Sequence, residues 1–152
     1  KSSDPHICEN KNAKKNFNFI EKVEAGIVLS GTEAKSIRNG DVHINDSYGI
    51  IEGEEAYLIK MHIAPYSHGN RENHEPLRKR KLLLHKHQIR KLIGTVVEKG
   101  LSLVPIRLYW VKGRVKVELA LAKGKTKDDQ RQSIRKREAK REMDKAMKRS
   151  RR

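Results

Sequence analysis

Apolar positions in this chain follow two periods in turn, and each period marks an element. Phe17, Phe19, Val23, Ile27 and Leu29 keep an interrupted alternation, which predicts a strand over Phe17–Leu29 with Gly26 as a bulge or bend. Ser30-Gly31-Thr32 then opens a short helix through Thr32–Arg38, closed by Asn39-Gly40. Ser47–Glu52 and Ala56–Ile63 read as strands on either side of the turn Glu52-Gly53-Glu54-Glu55. Ala64–Pro76 has two prolines and no apolar period, so it predicts a long loop, a class that is functional or mobile in small domains. Arg78–Lys81 runs into Leu82-Leu83-Leu84 and a helix from about His85 to Lys99. Ile89, Leu92, Ile93, Val96 and Val97 share one face of that helix, and Gly100 ends it. Two strands close the apolar part, Leu101–Val111 and Arg114–Ala122, joined by Lys112-Gly113. Leu103, Ile106, Leu108 and Trp110 are apolar on the first; Val115, Val117, Leu119 and Leu121 alternate strictly on the second.

The ends are different. Residues 1–16 are polar and read as a flexible N-terminal arm carrying Lys11, Lys14 and Lys15. Residues 123–152 form a basic tail in which Ala139, Met143, Ala146 and Met147 make only a weak helical stripe. Its net repulsion predicts a segment disordered when free and helical when its charges meet phosphate. The domain between them, residues 17–122, has about five strands, a short helix and one inserted helix.

Charge sharpens this picture. The net charge is +16, and two segments carry all of it: net +9 over Lys123–Arg152 and net +7, with no acid, over Arg78–Lys91. Two concentrated basic segments on an otherwise neutral chain point to a polyanionic partner. The tail lacks the bulky apolar face that a membrane-surface helix needs, so nucleic acid is the expected polyanion and no membrane partner is. A five-stranded barrel that binds RNA suggests the OB architecture, mainly antiparallel β with added short helices; a mixed open sheet is the alternative.

Candidate chemistry is sparse. Cys8 is the only cysteine, so no internal disulfide forms, which agrees with a reducing, cytoplasmic setting. No run reaches the length of a membrane span, and no signal peptide is visible. Of seven histidines only His85 and His87 are neighbours, two apart, so no metal site is expected. Asp128-Asp129 reads as a local charge offset in the tail. No nucleophile–base pattern and no phosphate-cradling glycine loop appear, so the expectation is a protein that is not an enzyme and has no cofactor or small-molecule substrate. The Arg78–Lys91 run reads as RNA-contacting because no acid stands beside it. Glu24, in a Glu-Ala-Gly triplet, can accept from a base amino group. Tyr109 and Trp110 face opposite sides of their strand, with Trp110 read as core and the other ring free to stack on a base.

Several stretches, in order, resemble one family. Asn10–Lys14, Glu24–Ile27, Gly31–Gly40, Asp46-Ser47-Tyr48, Ile63–Tyr66, Asn73–Pro76, Arg80–His85, Pro105–Trp110 and Ala122–Lys125 are similar to the SmpB signature over nearly the whole chain. The resemblance implies an OB barrel with added helices and a non-enzymatic adaptor of trans-translation. Such a protein binds the tRNA-like domain of transfer-messenger RNA and delivers it to stalled ribosomes. It implies that Asn10, Lys11, Lys14, Lys15, Glu24, Lys35, Arg38, Arg78, Lys79, Arg80, Lys81, Leu83, His85 and Lys86 serve the RNA, with Leu83 acting from the core by positioning the basic run. It implies that Lys123, Gly124, Lys125, Lys127, Asp129, Arg131, Arg135 and Lys136 meet the decoding centre and the empty message channel. Elongation factor Tu and alanyl-tRNA synthetase are implied partners through the RNA. Two departures stand out: Phe17 replaces the usual Tyr, and Asp128 and Gln130 replace a ring and a cation in the tail. A structural ribosomal protein with a basic tail and an RNA-processing enzyme are the competing readings.

Overall fold

The computed structural model describes residues 6–67, 73–125 and 127–150. Its elements run β1 (His6–Glu9), α1 (Ala13–Asn16), β2 (Phe17–Ile27), α2 (Gly31–Arg38), β3 (Val42–His43), β4 (Tyr48–Glu52), β5 (Glu55–Ile59), β6 (His62–Ile63), β7 (Arg80–Leu83), α3 (Lys86–Leu92), β8 (Ser102–Val111), β9 (Arg114–Gly124) and α4 (Lys127–Ser150). Beyond Leu92 the helical face continues over Ile93–Glu98 with the wider turns of a π-helix.

All sheet pairings are antiparallel, and the sheet closes on itself: neighbours follow the order β8-β4-β5-β7-β2-β9, and β9 pairs again with β8. Closure removes the edges that an open sheet would leave. Val117, Leu119, Leu58, Leu82, Leu103 and Leu108 fill the interior and are almost wholly buried.

Several expectations move. Residues 6–16, read as an arm, are seated on the domain: β1 pairs with β8, and Ala13 is 2% exposed. The irregularity in β2 lies at Ile20, not Gly26, and a second one at Ile106 changes the parity of β8, so Leu103 and Leu108 both face inward. The segment Ala56–Ile63 is broken by Lys60 (φ 60), after which β6 pairs with β3 in a separate two-stranded sheet.

Of the strands that make the closed ring, the one that sequence periodicity misses is β7. It lies between β5 and β2 and completes the ring. Its pattern is inverted: Arg80 (0% exposed) and Leu82 (1%) face inward while Lys81 and Leu83 (52%) face outward. A cation at an inward position hides the alternation. It is tolerated because Glu33, 0% exposed on α2, meets it. Ser30 caps α2 in a capping box with Glu33, so the same carboxylate serves helix and strand.

Candidate nucleic-acid interface

The acid-free run Arg78–Lys91 does not stay acid-free once folded, because carboxylates arrive from other elements. Arg78 and Arg80 pair with Glu33 at 2.6 and 2.5 Å. Lys79 pairs with Glu52, Lys81 with Glu55 and Lys91 with Glu21, each at 2.7 Å. Among the described residues only Lys86 and Arg90 of this run lack a carboxylate partner. The lysine pairs are exposed, so each is worth little and can exchange its partner for a phosphate.

Arg80 is a correction. Its guanidinium donates to Glu33, to the carbonyls of Met61 and Arg78 and to that of Pro76, and it is 0% exposed. No phosphate reaches it; it fastens β7 to α2 and to the end of the 64–76 loop. Asn10 is a second correction. It is 7% exposed, its amide donates to Pro105 O, and its backbone N–H donates to Ile106 O, so it staples β1 to β8. Lys11, Lys14 and Lys15 around it are exposed. Leu83 is the third: it stands outside the core rather than in it.

Leu83 explains the Glu-Ala-Gly triplet. A Cβ at Gly26 would lie 3.2 Å from Leu83 Cβ and 3.6 Å from Lys116 Nζ, so glycine lets Leu83 settle on β2 beside Lys116. Ala25 is buried beneath. Glu24 lies outward, opposite Glu118 on β9. Like charges in that register repel. Tyr109 relieves this by donating its hydroxyl to Glu24, while Arg107 lies 4.4 Å over the Tyr109 ring and 3.9 Å from Glu118. Burial first, then the bond to Glu24, push the Tyr109 phenol up, so it remains a donor at neutral pH. Tyr109, at 7% exposed, is therefore not free to stack on a base; Trp110 packs partly on the core and lies 5.7 Å under Arg38.

Leu83 and Lys116 thus form a ridge between two grooves. One, about 630 Å³, is lined by Lys81, His85 and Lys86; the other, about 230 Å³, by Trp110 and Arg114. Sequence reasoning passed over Lys116, Glu118 and Arg107. The signal was available for the first two: inward Val115, Val117 and Leu119 put them outward. At the edge of this face Lys35 lies 5.5 Å over the Tyr66 ring, and Asn73 closes the loop stem through both backbone groups of Tyr66. His74 spans Thr32 Oγ1 and Ile63 O, each at 2.9 Å; the carbonyl only accepts, so Nε2 carries the proton.

At the far end of β2 the tail begins. Lys123 and Gly124 are exposed at the end of β9. Lys125 donates its backbone N–H to Asn16 O and its ammonium to Lys14 O, both at 2.8 Å. α4 follows with Arg135, Met143 and Met147 exposed; the side chains of Lys127, Asp128, Asp129, Gln130, Arg131 and Lys136 lie outside those described. His85 and His87 rings stack at 5.6 Å, and no group of three potential metal ligands occurs among the described residues. Burial pushes the Cys8 thiol up to about 11, which keeps it protonated and unreactive. No described helix is long and apolar enough to cross a membrane.

The family model for SmpB protein matches residues 7–149. The SsrA-binding protein of Syntrophobacter fumaroxidans is 52% identical over 145 residues, 95% of this chain and 90% of the relative. That of Halothermothrix orenii is 53% identical over 142 residues, 93% of this chain and 92% of the relative. A chain in the solved structure "tmRNA-SmpB: a journey to the center of the bacterial ribosome" superposes with a TM-score of 0.67 at 44% identity, covering 85% of this chain and 94% of that one. With a matched model across nearly its whole length, the chain belongs to the SmpB family.

Proposed function

We propose that this chain is the RNA-binding adaptor of trans-translation: it binds transfer-messenger RNA and delivers it to stalled ribosomes. The observation that carries the reading is the likeness to SsrA-binding proteins along 95% of the chain. The built face is consistent with it: exposed Leu83, an oriented Glu24 carboxylate and the cations Lys81, Lys86 and Lys116 lie together, a mixture that suits RNA better than a uniform basic patch.

The finer assignment is ours. The ring of strands takes the tRNA-like domain through Glu24, Leu83, Lys79, Lys81, His85 and Lys86, with Lys11, Lys14, Lys15, Lys35, Arg38 and Arg78 at its margins. Residues 123–152 enter the decoding centre and the empty message channel, where Arg135 and its neighbours on α4 meet phosphates. Elongation factor Tu and alanyl-tRNA synthetase join through the RNA. The protein acts in the cytoplasm by binding and positioning, with no chemistry of its own.

The test is binding of the purified chain to the tRNA-like domain across a salt series, with ordinary tRNA and duplex RNA as competitors. Selective binding that survives physiological salt is expected. Equal, salt-labile binding to all three would favour the structural ribosomal reading. Truncation before Lys123 is expected to spare RNA binding and abolish peptide tagging; loss of RNA binding on truncation would refute the division between ring and tail.

A further inference from the structure

The groove beside Leu83 is lined by charges of both signs. Lys81, Lys86 and Lys116 are there, and so are Glu54 and Glu55 from the turn between β4 and β5. That turn is tight. Gly53, at φ 60, and Glu54 are its two residues, and Glu52 and Glu55 stand directly opposite each other in the register. Like charges so placed repel. Two lysines offset the repulsion: Lys79 reaches Glu52 and Lys81 reaches Glu55, each at 2.7 Å, and Lys79 also lies 4.5 Å over the Tyr57 ring.

The backbone fixes this pairing. Ala56, Leu58, Arg80 and Leu82 are buried, so Glu55, Tyr57 and Lys81 face outward on adjacent strands. All four charged side chains are partly exposed, so a ligand can open the pairs at little cost. Opening them has a second consequence. A phosphate that takes Lys79 and Lys81 leaves Glu52 and Glu55 uncompensated, opposite each other and next to Glu54. Three carboxylates then face the RNA that displaced them.

We infer that the β4–β5 hairpin is a selectivity element of the RNA face: Glu52 and Glu55 compete with phosphate for Lys79 and Lys81, and once displaced they accept hydrogen bonds from the amino groups of unpaired bases. Duplex RNA presents its phosphates but keeps its major-groove base edges out of reach of side chains. It can replace the carboxylates and cannot satisfy them. An unpaired base can do both, because a carboxylate accepts from an exocyclic amino group. Affinity is therefore held back for RNA in general and less for the selected one, which is discrimination through a repulsive element. The inference deepens the adaptor reading and rests on it for the identity of the selected RNA.

The experiment compares the full chain with Glu52→Gln, Glu55→Gln and the double variant. Binding to the tRNA-like domain of transfer-messenger RNA and to duplex RNA is measured across a salt series. Asp41→Asn/Asp46→Asn, which removes two exposed carboxylates outside the hairpin and the groove, is the control for net charge. In the double variant, affinity for duplex RNA is expected to rise about tenfold, and its slope of log affinity against log salt to steepen by about two, since no freed carboxylate takes back a cation. Affinity for the tRNA-like domain is expected to change by less than about threefold, so the preference for it shrinks. An undiminished preference, an unchanged duplex slope, or an equal effect in the control would overturn the proposal. All variants are expected to keep the parent's circular-dichroism melt, because the pairs are exposed; should the double variant not keep it, the single variants decide, each with a slope steeper by about one. If the parent itself shows no preference for the tRNA-like domain, the adaptor reading falls. The duplex slope then still decides the hairpin: steepened in the double variant but not in the control, it upholds the competition for Lys79 and Lys81, and unchanged, it refutes it.

Discussion

At Glu33 two effects oppose each other. Burial pushes its carboxyl up; hydrogen bonds from Arg78 and from the Ser30 backbone, with the charge of Arg80, outweigh it and hold the group down at about 2, against an ordinary 4.5. A depressed carboxylate stabilises the fold above its unfolded value and loses that contribution as pH falls through its folded one. The contribution is therefore complete above pH 4.5 and gone below about 2, and its size is on the order of 3 kcal/mol. Urea midpoints between pH 5 and 2 are expected to fall more steeply for the parent than for Glu33→Gln; parallel curves would deny Glu33 this role. At neutral pH, Glu33→Gln leaves Arg80 buried and unpaired, and a loss of about 3–5 kcal/mol is expected. Arg80 was the residue most easily misread from the sequence, because a cation in a basic run looks like a phosphate contact until its burial is known.

At the scale of elements, the glycines of β2 and β4 make contrasting predictions. A Cβ at Gly49 would lie 2.5 Å from Leu103 Cδ2, and Leu103, at 1% exposed, has nowhere to go. Gly49→Ala is expected to cost about 1–3 kcal/mol in urea unfolding, as overpacking does. At Gly26 the obstructing atoms are Leu83 Cβ at 3.2 Å and Cδ1 at 3.3 Å; the exposed Cδ1 end can turn away, and Cβ needs a shift of only a few tenths of an ångström between β2 and β7. Gly26→Ala is expected to change stability by less than about 1 kcal/mol yet weaken RNA binding severalfold, because Leu83 is displaced. Unchanged affinity would mean that Leu83's seat on β2 is irrelevant to RNA. The β8–β9 turn was legible in advance: Lys112-Gly113 was marked as the connection, and both residues adopt positive φ, 51° and 77°. The docking of β1 was not legible, because its partners, the β8 backbone and Pro105 O for the Asn10 amide, lie about a hundred positions away.

For the whole molecule, charge placement decides how salt acts. Lys86 and Arg90 carry no carboxylate partner among the described residues, whereas Lys79 must leave Glu52 before it can meet a phosphate. Lys86→Ala is expected to lower the slope of log affinity against log salt by close to one; Lys79→Ala is expected to lower it less, since the freed Glu52 takes back a cation. Equal changes in slope would show that the surface pairs do not compete with RNA. Removing Lys123–Arg152 takes away net +9 and is expected to lower the slope for non-selective RNA far more than for the tRNA-like domain.

The sequence by itself determined α2, α3, the long strands β2, β8 and β9, and the concentration of charge, because each is a local signal: a period, a cap, a count. The candidate face was partly legible in the same way, since strict alternation in β9 fixes which side Lys116 and Glu118 occupy. Only the tertiary structure decided which cations are free, that Arg80 points inward and Leu83 outward, and that β7 closes the ring. Those outcomes depend on partners far along the chain, such as Glu33 for Arg80 and Gly26 for Leu83, and no local pattern carries the identity of a distant partner.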